Sequence, residues 1–271
     1  MSDETPTTEV VDATADLDDA VAAASSALRA GELAVLPTDT VYGVAADAFN
    51  PGATMKVFDA KRRQRRFPLP VLIRSPKQLM GLVPEVSDAA ENLMAAYWPG
   101  PLTIVVRTDP NLAWDLGRNE DTVAVRMPMD DVTLAVIRSV GPLAVTSANL
   151  SGQPAATTAR LARGQLGDKV RVYVDAGRRA DSQPSTIVDL TRREPKILRS
   201  GPLDDDQVLR VARGELAPHL ATSPGQAVDK PVSPGGPAET TPSDRSASAD
   251  DATADDATAD DATADDAPTT T

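Results

Sequence analysis

The chain has 271 residues, 40 of them acidic and 27 basic, for a formal net charge of −13, a length that suits one large or two small domains. It contains no cysteine and a single histidine, His219. That inventory excludes disulfide scaffolds, thiolate zinc sites, iron–sulfur clusters and cysteine nucleophiles, and it leaves the body of the chain without a histidine triad or histidine metal site.

The acidity is concentrated at the ends. Residues 1–19 carry seven acids and no Lys or Arg, and residues 215–271 carry twelve acids against Lys230 and Arg245. Residues 20–214 therefore hold 21 acids and 25 bases, so the body is net +4 inside an acidic protein. An anionic ligand is compatible with that body. No apolar run reaches the roughly 20 residues of a membrane helix, and the acidic start lacks the basic and apolar regions of a signal peptide. The expectation is a cytoplasmic protein with no membrane partner.

Taken in chain order, residues 1–16 read as an acidic N-terminal extension and 17–213 as one α/β domain. An Ala-rich segment over 17–30, stopped by Gly31, predicts a helix. A strand follows at 33–36 and runs into a turn-prone stretch. Asn50-Pro51 has the form of an N-cap followed by proline at the first helical position, opening a helix to about Arg62 with Met55 and Phe58 on one face. Further strands are predicted at 71–73, 102–107, 122–126, 143–146, 170–174, 186–190 and 196–198, and helices at 87–97, 131–140, 158–166 and 204–213. The strands between 170 and 198 lie too close together for helical crossovers, so the sheet should be mixed. From Gly214 the chain is rich in Pro, Ala, Ser, Thr and Asp. Near-identical Ala-Asp-Asp-Ala-Thr repeats start at Ala249, Ala254 and Ala259. Residues 214–271 therefore read as a disordered acidic low-complexity tail, with too little to bury against the entropy of ordering.

Three polar clusters follow apolar strands or a helix. The first is Pro37-Thr38-Asp39-Thr40-Val41-Tyr42-Gly43, at a strand end where α/β folds place ligands; the same residues also suit a self-satisfied turn. The second, 61–66, has five cations in six residues. Such a cluster suits a polyphosphate, which arginine grips in a bidentate fork, though cations at a helix C-terminus also complement its dipole. The third is Thr146-Ser147-Ala148-Asn149-Leu150-Ser151-Gly152, a set of hydroxyls and an amide that can bond a nucleotide or close an Asx turn. Arg126 and Arg199 each close a strand. Neither a Walker sequence nor a dinucleotide Gly fingerprint is present, so side chains must bind any phosphate.

In this order and spacing the segments resemble the YrdC-like family of threonylcarbamoyl-AMP synthases over about residues 17–213. The carrying motifs are PTDTVYG at 37–43, Lys61 and Arg63 as K-x-R, WPGPLT at 98–103, TVAVRMP at 122–128, TSANLSG at 146–152, PSTIVDL at 184–190 and ILRSG at 197–201. The resemblance implies a twisted open α/β sheet with a concave basic groove. It implies an enzyme that joins L-threonine, bicarbonate or CO2, and ATP into L-threonylcarbamoyladenylate and pyrophosphate, with Mg²⁺ on the phosphates. Separate transferase proteins would then use the product to modify tRNA. By position, Lys61, Arg63, Thr122, Ser147, Asn149 and Arg199 should contact ATP, with Lys61 and Arg63 catalytic. Thr38, Arg126 and Ser185 should hold threonine, with Thr40 and Tyr42 shaping that end.

Two departures stand out. Phe67 replaces a small polar residue of many relatives, so one nucleotide contact is lost or moves to Arg65 or Arg66. Leu72 offers a threonine ligand only packing. Two other readings of the same residues are an RNA-binding module with direct tRNA contact, against which the few aromatics argue, and a paralogue that uses another carbamoyl or acyl adenylate.

Overall fold

The computed structural model describes residues 7–180 and 183–223, and the Ala-Asp-Asp-Ala-Thr repeats lie outside them. In chain order the elements are β1 (Glu9–Asp12), α1 (Leu17–Arg29), β2 (Ala34–Leu36), β3 (Gly43–Asp47), α2 (Pro51–Lys61), β4 (Val71–Leu72), α3 (Pro76–Leu79), α4 (Asp88–Tyr97), β5 (Leu102–Arg107), β6 (Thr122–Arg126), α5 (Asp131–Val140), β7 (Leu143–Ser147), α6 (Ala159–Leu166), β8 (Val172–Asp175), β9 (Thr186–Asp189), β10 (Lys196–Arg199) and α7 (Asp205–Ala212). The strands form one sheet in the order β1-β8-β2-β3-β7-β4-β6-β5-β9-β10. It is mixed, as expected. The pairs β1/β8, β2/β8, β4/β6 and β5/β9 are parallel, and β2/β3, β3/β7, β4/β7, β5/β6 and β9/β10 are antiparallel.

Local chemistry sets the helix starts. Asp16, Asn50, Ser87, Asp130, Thr158 and Asp204 each accept a hydrogen bond from the backbone amide three residues on. Such a cap is worth about 1 kcal/mol. Helix α2 ends at Arg62, which adopts the left-handed conformation with φ 52°. Its apolar stripe includes Ala53, Val57, Phe58 and Ala60. Met55, expected to share a face with Phe58, lies outside that stripe and is exposed.

Alternation along the strands sends side chains to two cores. On one face Leu33, Val35, Val44, Ala46 and Tyr173 pack with Val57 and Phe58 of α2, Leu93 of α4, Leu166 of α6 and Val208 of α7. On the other, Leu36, Ala45, Leu143, Val145, Val172 and Val174 meet Ala24 and Leu28 of α1 and Val136 and Ile137 of α5. Each fully buried aliphatic side chain contributes roughly 1.5–3 kcal/mol. Strands β5, β6, β9 and β10 contribute nothing to this second core. That half of the face is open, and Leu72 and Val145 mark its edge.

Both chain boundaries move outward relative to the sequence reading. Glu9–Asp12, assigned to the acidic extension, is the edge strand β1, paired with β8 through Val10↔Tyr173 and Val11↔Val174. Residues 214–223, assigned to the tail, include a 3-10 turn at Pro218–Leu220, with Leu216 and Ala221 packed on the first core. Strand β3 lacks a strand signature in the sequence because four residues of Gly, Val and Ala followed by Asp47, directly after a polar turn, carry no alternation of polarity; all but Asp47 are buried.

Gly201 ties the fold to the open face. A methyl group there would meet Thr186 N and would lie 2.6 Å from Ser185 C and 2.7 Å from Pro184 O, all of them backbone atoms. Only glycine lets the turn after β10 lie against the start of β9. Gly201→Ala should therefore cost roughly 1–3 kcal/mol, the range for overpacking, read as a lower urea midpoint at unchanged m-value.

Candidate functional site

On the open face, β7, β4, β6, β5 and the turns leading into β3 and β9 enclose a hollow of about 90 Å³. Its lining includes Thr38, Thr40, Tyr42, Leu72, Thr103, Arg126, Ser147, Ser185 and Arg199. A second, wider cleft of about 440 Å³ is lined by Lys61, Arg62, Arg63, Gln64, Arg66, Phe67, Ser147, Asn149, Ser151 and Gly152. Ser147 borders both, so the two are adjacent at the C-terminal end of β7. The polar clusters mark strand ends, yet the hollow itself lies over the sheet surface, because the residue period of two turns Leu72, Arg126, Val145 and Ser147 to the same uncovered side.

Backbone carbonyl oxygens hold the cations. The Lys61 ammonium, buried at the end of α2, donates to Ser147 O and to Asn149 O (2.6 Å), with Asn149 Oδ1 at 3.4 Å. Arg63 donates from Nε to Phe67 O (2.8 Å) and from Nη2 to Pro68 O (3.1 Å). Arg199 places Nε and Nη2 on Ser185 O (3.0 and 2.8 Å) and also reaches Ser185 Oγ (3.1 Å). Arg126 donates from Nε to Gly100 O (2.9 Å) and from Nη1 to Thr40 Oγ1 (3.0 Å).

One carboxylate stands among these cations. Asp39 Oδ1 lies 2.6 Å from Arg126 Nη2 and accepts from Met129 N at 3.0 Å; both side chains are 7% exposed. Among the described residues Lys61, Arg62, Arg63, Arg66 and Arg199 have no carboxylate partner, and the positive charges act on one another. Burial, and then the Arg63 charge, push the Lys61 ammonium down to about 7, against the pull of its carbonyl acceptors toward the charged form. Burial lowers Arg63, and burial followed by Arg126 and Arg63 lowers Arg199. Three guanidiniums therefore share one electrostatic neighbourhood.

The turns explain how this arises. Because α2 stops at Lys61 and Arg62 turns left-handed, Lys61 and Arg63 both reach the wide cleft although they are two residues apart. Thr38 serves its own turn as well as the hollow: its hydroxyl donates to Val41 O (2.6 Å), accepts from Thr40 N (3.2 Å) and lies 3.1 Å from Thr40 Oγ1. Ser185 Oγ lies 2.8 Å from Thr103 Oγ1. Tyr42 borders the hollow, but its hydroxyl turns away to Gly177 O (2.7 Å), and burial pushes its pKa up to about 12.

Several expectations change. Asn149 lines the cleft, yet its amide donates to Leu150 O (2.8 Å) and Gln153 O (2.7 Å), so it closes its own loop. Thr122 lines neither space. It sits at the start of β6, four residues from Arg126 and roughly 13 Å along the strand, and gives its hydroxyl to Asn119 O (2.6 Å). Arg65 faces away from the cleft, bound to Asp115 at 2.5 Å and set over the Phe58 ring, which leaves Arg66 as the replacement cation. Leu72 lines the hollow, as its packing role requires. The sequence reading missed the site roles of Asp39, Gly100 and Thr103, although all three lie inside the quoted PTDTVYG and WPGPLT motifs.

Residues 26–201 match the model of the Sua5/YciO/YrdC family, described as telomere recombination. A Mycobacterium leprae protein provisionally named threonylcarbamoyl-AMP synthase is 49% identical over 191 residues, 70% of this chain and 87% of that one. The threonylcarbamoyl-AMP synthase of Pyrococcus abyssi is 37% identical over 213 residues, 78% of this chain and 62% of that one. A crystal structure of P. abyssi Sua5 complexed with L-threonine superposes with a TM-score of 0.69 at 34% identity, covering 76% of this chain and 60% of the other. The basic hollow thus sits within the matched region, and the chain belongs to the Sua5/YciO/YrdC family.

Proposed function

We propose that this chain is an L-threonylcarbamoyladenylate synthase, a nucleotidyltransferase that makes threonylcarbamoyl-AMP for tRNA modification. The observation that carries the reading is the set of cations around two adjacent spaces, of which, among the described residues, only Arg126 has a carboxylate partner. The smaller suits an amino acid and the larger a nucleotide triphosphate. The relatives' names and the threonine-bound P. abyssi structure support the same substrates.

The chemistry needs no protein nucleophile. The threonine amine adds to CO2 and loses a proton, giving a carbamate. A carbamate oxygen then attacks the α-phosphorus of ATP, the bond to the β-phosphate oxygen breaks, and pyrophosphate leaves. A carboxylate, a carbamate and a triphosphate repel one another, so bringing them together is the main obstacle, and alignment with electrostatic stabilisation supplies most of the acceleration. Of the five N–H donors of Arg126, two are hydrogen-bonded to protein, on Gly100 O and Thr40 Oγ1; Nη2, ion-paired with Asp39 but without a hydrogen-bond acceptor, and the second Nη1 hydrogen suit the threonine carboxylate. Thr38, Thr40 and Ser185 line the same space. Lys61 and Arg63 serve the α-phosphate and the leaving pyrophosphate, with Arg199 and Ser147 between the two ends. The donors around the cleft are cations, hydroxyls and amides, which suit phosphate oxygens; Mg²⁺ would ride on the phosphates themselves and shield their charge. The product is expected to pass to separate threonylcarbamoyl transferase proteins.

Mass detection of the adenylate from threonine, bicarbonate and ATP tests the reading directly. Product should require all three, and AMP release that ignores threonine overturns it. Lys61→Ala and Arg63→Ala should stay folded and release pyrophosphate at least ~100-fold more slowly, the scale for losing one preorganised electrostatic contact.

The Lys61 pKa of about 7 gives a signed pH dependence. A polyphosphate binds the ammonium form, so above pH 7 binding must take up the proton that the free protein has lost. ATP affinity should fall as pH rises through about 7 to 8, with proton uptake visible as a buffer-dependent heat in titration calorimetry, and both effects should vanish in Lys61→Met. Without ligand the sign is opposite: an unfolded lysine keeps its proton to about 10.5, so the fold gains stability as pH rises from 7.

A further inference from the structure

Phe67 is the anomaly of the cleft. It is 51% exposed in a lining that is otherwise polar or cationic apart from Gly152. Two guanidiniums lie over its ring, with the central carbon of Arg63 5.9 Å and that of Arg66 4.9 Å from the ring centroid. The two cations are held differently. Arg63 is anchored by Phe67 O and Pro68 O, whereas Arg66 is exposed and, among the described residues, has the ring as its one recorded side-chain contact.

We propose that Phe67 is the platform on which the nucleotide base stacks, with Arg66 as a displaceable cover. The inference deepens the synthase reading and rests on it, since that reading supplies a nucleotide for this cleft. Magnitudes decide which partner the ring takes. An exposed cation over an aromatic face is worth about 2- to 5-fold in an equilibrium. A base stacked on an aromatic ring is worth roughly 5- to 150-fold by alanine substitution. A base therefore displaces Arg66, which swings out beside Lys61 and Arg63, where a triphosphate offers it a stronger partner than the ring. The same ring explains how the chain tolerates an apolar side chain where a polar nucleotide contact was expected: the base is held by its face instead of its edge. Face stacking carries little hydrogen-bond readout, so purine triphosphates should bind better than pyrimidine ones through stacking area, with modest discrimination between adenine and guanine.

The test compares ATP with inorganic tripolyphosphate, which has the charge and lacks the base, in direct binding to the full chain. Phe67→Ala should weaken ATP at least ~5-fold and leave tripolyphosphate within about twofold, and Phe67→Trp should restore ATP binding. Arg66→Gln should weaken tripolyphosphate without lowering the ratio of ATP to tripolyphosphate affinity. Equal weakening of both probes in Phe67→Ala means the ring only orients Arg63 and Arg66, and no change in either means it is idle; each overturns stacking. A wild-type chain that binds ATP no better than tripolyphosphate overturns it too. A synthase that needs threonine and bicarbonate yet ignores Phe67→Ala sinks the platform and leaves the proposed function standing, whereas base-dependent binding without pyrophosphate release does the reverse.

Discussion

Backbone carbonyl oxygens fix the cations of the hollow and the cleft without themselves cancelling any charge; only Arg126 also meets a carboxylate, Asp39, among the described residues. Ser147 O and Asn149 O cap Lys61, Phe67 O and Pro68 O hold Arg63, Gly100 O holds Arg126, and Ser185 O holds Arg199. A carboxylate in any of these places would orient the same side chain and neutralise it. A carbonyl supplies only a dipole, so the geometry is set while the formal charge stays available to a substrate. The cost is visible in the lowered proton affinities of Lys61, Arg63 and Arg199: desolvation acts on all three, and repulsion from neighbouring guanidiniums adds to it at Lys61 and Arg199. Such a site is stable enough to exist but is relieved by a polyanion, which is what differential binding requires.

That arrangement makes loop backbone the functional element. The left-handed Arg62, the 147–149 turn after β7, the 98–101 segment before β5 and the contact of Gly201 with the start of β9 each aim a carbonyl or the residue it holds. The sheet beneath serves as a rigid frame. Helices α1 and α5 cover one half of its second face and leave β5 and β6 outside that core, so the hollow lies over a sheet surface instead of in a closed interior cavity.

Legibility in the sequence follows the same division. Elements with strong local signals, such as α1, α2 with its Asn50-Pro51 start, α5, β5 and β6, were readable to within a residue or two. The polar segments were visible because cations, hydroxyls and an amide sit beside apolar strands, although the roles came from the order of seven motifs rather than from any one spacing. What stayed hidden were facts of direction. Nothing local says that Arg65 turns to Asp115 while Arg66 faces the cleft, that Asn149 spends its amide on Leu150 and Gln153, or that Thr122 sits a strand's length from Arg126. β1 was hidden for another reason. Glu9-Val10-Val11-Asp12 is an acidic edge strand, ordered by pairing with β8 over 150 residues away, and composition alone reads it as part of a charged extension.

Asp39 completes the electrostatic design. A buried ion pair with Arg126 is weak support for stability, because desolvating both groups offsets their attraction. Its effect on the hollow is larger. At the end lined by Thr38, Thr40 and Ser185, one carboxylate partly neutralises one guanidinium, and the local field is modest. At the end lined by Lys61, Arg62, Arg63 and Arg66, no carboxylate among the described residues lines the cleft. Positive potential therefore rises from the small space to the large one. An amino acid presents one carboxylate and a triphosphate several charges, so the gradient matches each reactant to its own end. On the proposed synthase reading, the carbamate would form beside Arg126 and turn its negative oxygen toward Lys61 and Arg63, a path that runs up that potential.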